Sequence, residues 1–313
     1  MLSYEFRASA ISVCLKIPLF LALSFAIPPV SHPQEPSWSL VGPAFSASVE
    51  EIQKAAAAVP AEKYMEATVL FERDAYTLDM QGRVTYRHSM VYRIETQSAI
   101  EGWSETDARW EPWYQNEPEI RARVIGTDGK VSPLDPKTVT DGPANEGDED
   151  TYTDARVRKA PLPGLAVGAI VEEETTTSDK LPFFSGGGIY RDSFSRSVPI
   201  IHSELLIDVG KEFNLQYRVH LMPAVKISDQ SQDGVRHLRF VQEYLSAHEN
   251  SDIELATHNF TEPLIEFSTG ASWASVAAAY RELAEAHIDA EKVKAMLPTV
   301  PAGADRMATM LRW

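Results

Sequence analysis

Cysteine is nearly absent from this 313-residue chain, in which Cys14 is the only one. A single cysteine forms no intrachain disulfide and no site built from several thiolates. Cys14 also falls within an N-terminal segment that we expect to be removed. The mature chain would then have no thiol, which excludes a cysteine nucleophile from it.

Basic charge is scarce as well, with 29 Lys and Arg residues against 45 Asp and Glu residues and a formal net charge of -16. Proteins that bind nucleic acid neutralise phosphates with a clustered basic surface. Here the basic residues are scattered in pairs such as Arg121 and Arg123. We therefore expect no nucleic-acid partner.

Apolar runs stay shorter than the ~20 residues that a membrane-spanning helix requires. The most apolar run, residues 17–30, follows Arg7 and Lys16 and contains Pro28 and Pro29. Charge followed by a short apolar run is typical of a secretory signal. Ser24-Phe25-Ala26 offers the small residues of a cleavage site. We predict a signal peptide at residues 1–26 and a periplasmic or secreted protein, the alternative being a membrane anchor formed by an uncleaved signal.

A two-residue period dominates the middle of the chain. From Val84 to Ile94, apolar residues alternate with mostly polar ones, as in a half-buried strand. Residues 67–78 are the expected hairpin partner, and Gly-rich or Asp-Gly turns separate five further candidate strands. We predict a mainly β fold, an antiparallel β-sandwich at residues 63–268, preceded by a linker and short helix at 27–62. The other strands are predicted at 120–126, 169–177, 200–209, 215–221 and 235–242.

A helical segment is predicted after the sandwich, at residues 269–313. Ser272 is a candidate N-cap, and apolar residues then recur at spacings of three and four. A second helix is expected from Asp305, and the sequence ends at Trp313 within its pattern. We expect the sequence to be a fragment, or an early-terminating product, of a longer protein.

Several stretches together resemble a known family. They are WEPWYQNEPEIRARVIGTDGKVSPLDP, DTYTDARVRKAPLPGLAVGAIVEEE, LPFFSGGGIYRDSFSRSVPI and EFSTGASWASVAAAY. The combination resembles the bacterial domain of unknown function 3857, which lies ahead of transglutaminase-like domains in exported proteins. The resemblance implies that residues 269–313 begin a papain-like domain with a Cys-His-Asp triad, but no residue of this chain matches the nucleophile.

The resemblance favours a non-catalytic module that docks to, or presents substrate to, the missing C-terminal catalytic domain. We expect no enzymatic activity, catalytic residue or cofactor in this chain. Two alternatives remain: a stand-alone periplasmic module that binds cell-envelope glycan or peptide, and a cysteine peptidase activity present only in a longer protein.

Three aromatic residues, Trp110, Trp113 and Tyr114, lie within five positions of one another. Exposed aromatic rings can stack on sugars or hold a peptide. Rings at the rim of a folded core serve packing instead, and Pro112 and Pro118 indicate a loop there. Both interpretations stay open, and these three residues are the candidate binding surface.

Other patterns predict no site. We expect His88 to be a hydrogen-bonded core residue, and the histidines at 202, 220, 237, 248 and 258 lack close metal-ligand spacing. The acidic residues 145–150 and Asp154 lack the ligand order of a calcium loop. Gly270-Ala-Ser272-Trp-Ala274 nearly fits a nucleophile elbow, but the only histidine after it, His287, follows fifteen residues later on the same predicted helix. Gly186-Gly-Gly188 has no following Lys-Ser/Thr and does not make a phosphate loop.

Overall fold

The computed structural model describes residues 37–144, 153–183, 188–248, 262–270, 272–289 and 291–292. The described chain is mainly β and carries a short helix after its last strand, as predicted. Its strands are β1 (Ala67–Leu78), β2 (Val84–Ile94), β3 (Glu105–Trp110), β4 (Glu119–Ile125), β5 (Val131–Pro133), β6 (Thr140–Pro143), β7 (Arg156–Pro161), β8 (Ile170–Ser178), β9 (Ile189–Ser193), β10 (Ile200–Gly210), β11 (Gln216–His220), β12 (Lys226–Gln232), β13 (Val235–Leu245) and β14 (Leu264–Ser268). Its helices are α1 (Val49–Ala57), α2 (Ala99–Gly102), a 3-10 turn (Pro136–Thr138) and α3 (Trp273–His287).

The strands form one large sheet and two small ones. The large sheet has eight strands in the order β12-β13-β10-β1-β2-β8-β4-β5, and the small sheets are β11-β14-β9 and β3-β7-β6. Every pair of described strands is antiparallel except β1 with β10, which lies near the centre of the large sheet and runs parallel. These two strands are joined by more than a hundred residues, so no hairpin forces them to run in opposite directions.

The hairpin of β1 and β2 forms because its turn satisfies its own backbone. The Asp79 carboxylate accepts hydrogen bonds from the amides of Gln81 and Arg83. Gly82 takes the positive φ of 79°, a conformation that glycine adopts without steric cost. A bulge between Val69 and Phe71 then shifts the register within β1.

One face of the large sheet is covered by the two small sheets. At one end, Val69 and Tyr92 pack with Ala160 and Leu162 from the region of β7. At the other end the strands β10 and β13 pack against β11 and β14, with Leu205, Phe240 and Phe267 among the buried side chains. A stretch of β1 and β2 lies between these two apolar clusters, and it carries charged residues.

The opposite face of the large sheet packs against α1. Ser48 caps this helix, and the capping box is completed by Glu51. Ile52 of the helix packs with Leu70, Phe71 and Val91 of the sheet. Because consecutive residues of a strand point to opposite faces, β1 and β2 contribute apolar side chains to both layers.

Helix α3 follows β14 and starts where the sequence predicted. The Ser272 side chain accepts a hydrogen bond from the Ser275 amide, the expected N-cap contact. Among the described residues, no helix combines the length and apolar character needed to cross a membrane. The predicted signal peptide and the predicted helix from Asp305 lie outside the described residues, and the domain limits given above stay predictions.

Candidate functional site

Two of the three predicted aromatic residues come together with a third ring from a distant part of the chain. The ring centroids of Trp113 and Tyr114 are 4.5 Å apart, and Phe183 lies 5.5 Å from the first and 5.2 Å from the second. Trp110 has a different environment at the end of β3, where its indole donates to the Asp141 carboxylate at 3.1 Å. The cluster is thus Trp113, Tyr114 and Phe183.

Backbone hydrogen bonds hold this loop beside the end of β8. The amide of Lys180 donates to the Tyr114 carbonyl at 2.8 Å, and that of Asn116 donates to the Ser178 carbonyl at 2.8 Å. Gln115 forms an isolated antiparallel bridge with Asp179. The Tyr114 side chain is therefore placed by backbone pairing rather than by a free loop.

Tyr114 and Phe183 form one wall of a cleft of 360 Å³. Its other walls come from β1, β2, the end of β8 and β9, together with Val276 of α3. Polar groups stand among the rings, namely the side chains of Gln115, Thr177 and Asp179. The aromatic residues lining the cleft are Tyr76, Tyr86, Tyr114, Phe183 and Tyr190.

The tyrosines of the cleft stay neutral over the physiological range. Burial, with the nearby Asp179 and Glu111 carboxylates, raises the pKa of Tyr114 to about 12. Burial also raises the pKa of Asp179, although its carboxylate accepts the Val84 amide at 2.9 Å. The cleft thus offers apolar ring faces, hydroxyl groups and one carboxyl group.

A row of charged side chains lies on the face of the large sheet that the two small sheets cover, between the two apolar clusters. Asp74 of β1 pairs across the strands with His88 of β2, and Nδ1 of the imidazole is 2.9 Å from the carboxylate. Glu72 lies two residues before Asp74 on the same face of β1, and its Oε1 is 4.0 Å from Nε2 of His88. Arg196, which follows β9, donates from Nε to Glu72 at 2.9 Å. His88 is hydrogen-bonded as predicted, and its side chain, which is 18% exposed, is partly buried.

Burial and mutual charge divide this row into ionised and neutral acids. Burial opposes ionisation of Asp74, yet His88 holds the pKa of that carboxyl below its usual range. Burial also works against the imidazolium, but Asp74 raises the pKa of His88 to about 9. Burial raises the pKa of Glu173 to about 7 and the pKa of Asp192 well above its usual value.

Comparison with known proteins identifies the family. The model of the family described as a domain of unknown function with a solved structure, DUF3857, matches residues 80–247. The chain belongs to the DUF3857 family. The match includes His88, Glu173, Asp192 and Arg196 of the charged row and most of the residues that line the cleft, whereas Glu72 and Asp74 precede it.

One solved structure similar to the DUF3857 chain is that of a candidate protease from Parabacteroides distasonis. The two align with a TM-score of 0.60 at 18% sequence identity, over 66% of the present chain and 41% of the other. At this identity the likeness concerns the fold alone. The present chain therefore corresponds to less than half of that longer protein. Among curated proteins, none matches the chain.

The remaining predicted positions of the DUF3857 chain have structural environments of their own. Ser272 caps α3, which accounts for it without chemistry. His202, His220 and His237 each lie within hydrogen-bonding distance of a carboxylate, from Glu243, Glu266 and Asp208 respectively. The acidic residues 145–150, His258 and the glycines at 186 and 187 lie outside the described residues.

Sequence reasoning did not single out Glu72, Asp74 or Phe183. A signal for the first two exists, since they occupy alternate positions facing the core in a strand that is otherwise apolar on that side. A charged residue on an inward face is costly unless it has a partner. Phe183 carries no such signal, because its contact with Tyr114 joins residues far apart in sequence.

Proposed function

We propose that this chain is a non-catalytic module that binds an extended peptide of the cell envelope and acts beside a transglutaminase-like catalytic domain. The supporting observation is the cleft of five aromatic rings with polar groups between them. The non-catalytic role rests on the lack of a cysteine beyond Cys14, since a transglutaminase-like reaction needs a thiolate. An exported location is part of the proposal.

The chemistry of the cleft favours an extended peptide. Tyrosine rings provide large contact areas and lose little conformational freedom, and their hydroxyls can pair with peptide groups. Strand β9 is at the edge of its small sheet, and Ile189 and Tyr190 of this strand line the cleft. An edge strand has unpaired backbone groups on one side, which an added peptide strand can satisfy.

Helix α3 supports the placement beside a catalytic domain. Its Trp273 is 78% exposed and its Tyr280 is 59% exposed. Large exposed aromatics are frequent anchors of protein interfaces. We propose a transglutaminase-like catalytic domain as the occupant of this helix face, because the matched part is only 41% of the similar protein from Parabacteroides distasonis. Such a domain would lie next to the cleft, since Val276 of α3 lines it.

The peptide-binding proposal predicts a specific loss of affinity in the variant Tyr114→Ala. Isothermal titration of the purified chain with a cell-wall stem pentapeptide is expected to show binding, and Tyr114→Ala should weaken it at least tenfold. A tenfold loss corresponds to ~1.4 kcal/mol, which is typical of an aromatic contact at the centre of an interface.

The matched control is Tyr64→Ala, because Tyr64 is 96% exposed and does not line the cleft. Its affinity for the pentapeptide should equal that of the unaltered chain. Equal weakening in both variants, or no binding of the peptide at all, contradicts the proposal.

A glycan is the second candidate ligand, and the aromatic faces of Tyr114 and Phe183 at the cleft wall favour it. Sugar rings stack on such faces through their C–H groups. A titration with a tetrasaccharide of N-acetylglucosamine separates the candidates. If only the tetrasaccharide binds, and Tyr114→Ala abolishes that binding, the module is a glycan-binding one.

A further inference from the structure

Three potential metal ligands converge on the buried face of the β1–β2 hairpin. Glu72, Asp74 and His88 each offer one ligand atom, and these atoms lie within 4.8 Å of one another. Strand register produces the group, because Asp74 and His88 are cross-strand partners and Glu72 points to the same face of β1. Two carboxylates and an imidazole form a ligand set that Zn²⁺ accepts.

An unsatisfied oxygen in this group points to a ligand. The Glu72 side chain is 3% exposed, and its Oε2 is buried without a hydrogen-bond partner among the described residues. The other oxygen of the same carboxylate, Oε1, lies 4.0 Å from Nε2 of His88. Oε2 of Glu173, on the same face of β8, is buried and lacks a partner within the described chain as well. Buried carboxylate oxygens are rarely left unpaired in native proteins, so each one needs an explanation.

We propose that Glu72, Asp74 and His88 bind one divalent metal ion, with Zn²⁺ preferred over Ca²⁺ and Mg²⁺. The imidazole ligand favours zinc, since the two harder cations take mainly oxygen ligands. Glu173 is close enough to the group to act electrostatically on His88. It supplies a further carboxyl group beside the proposed ion.

Charge balance accounts for the site in the absence of metal. Arg196 is bound to Glu72, and Asp74 is bound to His88, so cationic groups neutralise both carboxylates. A divalent ion would replace the Arg196 guanidinium beside Glu72 as the cation that balances these carboxylates. Either state avoids an uncompensated charge on the buried face, which would cost several kcal/mol.

Arg196 also supplies a route for the ion. Its side chain is 34% exposed, unlike that of Glu72 at 3%, so the guanidinium can turn into solvent. Zinc–ligand distances of about 2.0–2.2 Å put two tetrahedral ligands roughly 3.4 Å apart, so ligand atoms that now lie within 4.8 Å of one another must approach by up to about 1.4 Å. Side-chain torsions can provide that movement once Arg196 releases Glu72.

The site would also stiffen the proposed peptide cleft. The Tyr86 hydroxyl, from a residue that lines the cleft, donates to the Asp74 carboxylate at 2.5 Å. Metal binding would fix Asp74 and with it the Tyr86 side chain. The metal site nevertheless stands on its own residues, and its test does not depend on peptide binding.

The experiment is metal loading of the full chain after treatment with EDTA. Chain dialysed against ZnCl₂ and then against metal-free buffer is expected to retain one zinc per chain by mass spectrometry. Its unfolding temperature should rise, because an ion that binds the native state alone stabilises it. CaCl₂ and MgCl₂ should give no comparable rise.

Variants distinguish the site from adventitious zinc. His88→Gln and Asp74→Asn should lose the bound zinc, while His237→Gln should keep it, because His237 forms a similar pair with Asp208 on the surface at 2.6 Å. Arg196→Gln removes the competing cation and should raise zinc affinity about tenfold, equivalent to ~1.4 kcal/mol. This last variant stays informative if the ligand variants fail to fold. Zinc retained by His88→Gln, or affinity unchanged or lowered in Arg196→Gln, would overturn the proposal.

Discussion

Replacing Phe240 with alanine is expected to lower the free energy of unfolding by about 3–5 kcal/mol. Phe240 is fully buried on β13, where it faces the small sheet β11-β14-β9. Its ring meets that of Tyr217 edge-on, with centroids 5.0 Å apart, and its strand neighbour is Leu205. Alanine would remove the ring from the layer that joins two sheets and leave a cavity that packed strands cannot close. Urea unfolding followed by tryptophan fluorescence measures the loss.

Met80→Ala is the control for Phe240→Ala. Met80 lies in the turn of the β1–β2 hairpin and is 79% exposed, so its truncation should change stability by less than about 0.5 kcal/mol. A loss of stability below about 1 kcal/mol for Phe240→Ala would show that Phe240 contributes little to the packing of the small sheet against the large one.

The hairpin of β1 and β2 illustrates what the sequence can predict. Residues 84–94 alternate between apolar and mostly polar side chains, and a turn with Gly82 joins them to residues 67–78, so both strands occur at the predicted positions. Neighbouring strands linked by a short turn have few alternatives. The parallel partner of β1 could not be predicted in this way, because alternation shows which face a side chain occupies and not which distant strand pairs with it.

Strands without a buried face escape such analysis. Every residue of β12 is exposed, and its sequence, KISDQSQ, has no apolar period. The strand exists because its backbone pairs with β13, which does have a buried face. Loss of period-two contrast at a sheet edge therefore hides a strand, even though its hydrogen bonds are regular.

The candidate sites also contain some features that the sequence shows and others that only tertiary contacts create. Trp113 and Tyr114 are close in sequence, and their clustering was visible there. The cleft, however, needs Phe183 and Tyr190 from other elements, and the charged row needs Arg196. Tertiary contacts bring these groups together, and a single sequence does not show which distant residues pair.

Glu204→Gln is expected to destabilise the chain by about 3–5 kcal/mol, because it removes the buried anion that Arg73, His202 and the partly exposed Arg239 share. Glu204 is 1% exposed on β10 and accepts hydrogen bonds from Arg73 at 2.9 Å and from Arg239. His202 lies 3.0 Å from the same carboxylate. The amide of glutamine can accept some of these bonds but cannot balance the charge. Guanidinium unfolding at pH 7 gives the difference in free energy.

The surface pair of Asp229 and Arg236 is the control for Glu204→Gln. Their side chains are 2.7 Å apart across β12 and β13, and Asp229 is 43% exposed. Solvent screens such a pair, so Asp229→Asn should cost no more than about 1 kcal/mol. Equal losses in the two variants would mean that burial adds nothing at Glu204.

The pH dependence of the stability lost in Glu204→Gln tests whether that loss is electrostatic in origin. Burial opposes ionisation of Glu204, but His202 and the two arginines outweigh it and lower the pKa from 4.5 to about 2. Because the folded pKa lies below the unfolded one, the carboxylate contributes its full stability above about pH 4.5 and loses it as pH falls toward 2. A shift of this size corresponds to ~3 kcal/mol. The gap between the unaltered chain and Glu204→Gln should therefore be fully present at pH 5 and narrow steadily below pH 4. A gap of constant size down to pH 3 would assign the loss to packing and not to charge.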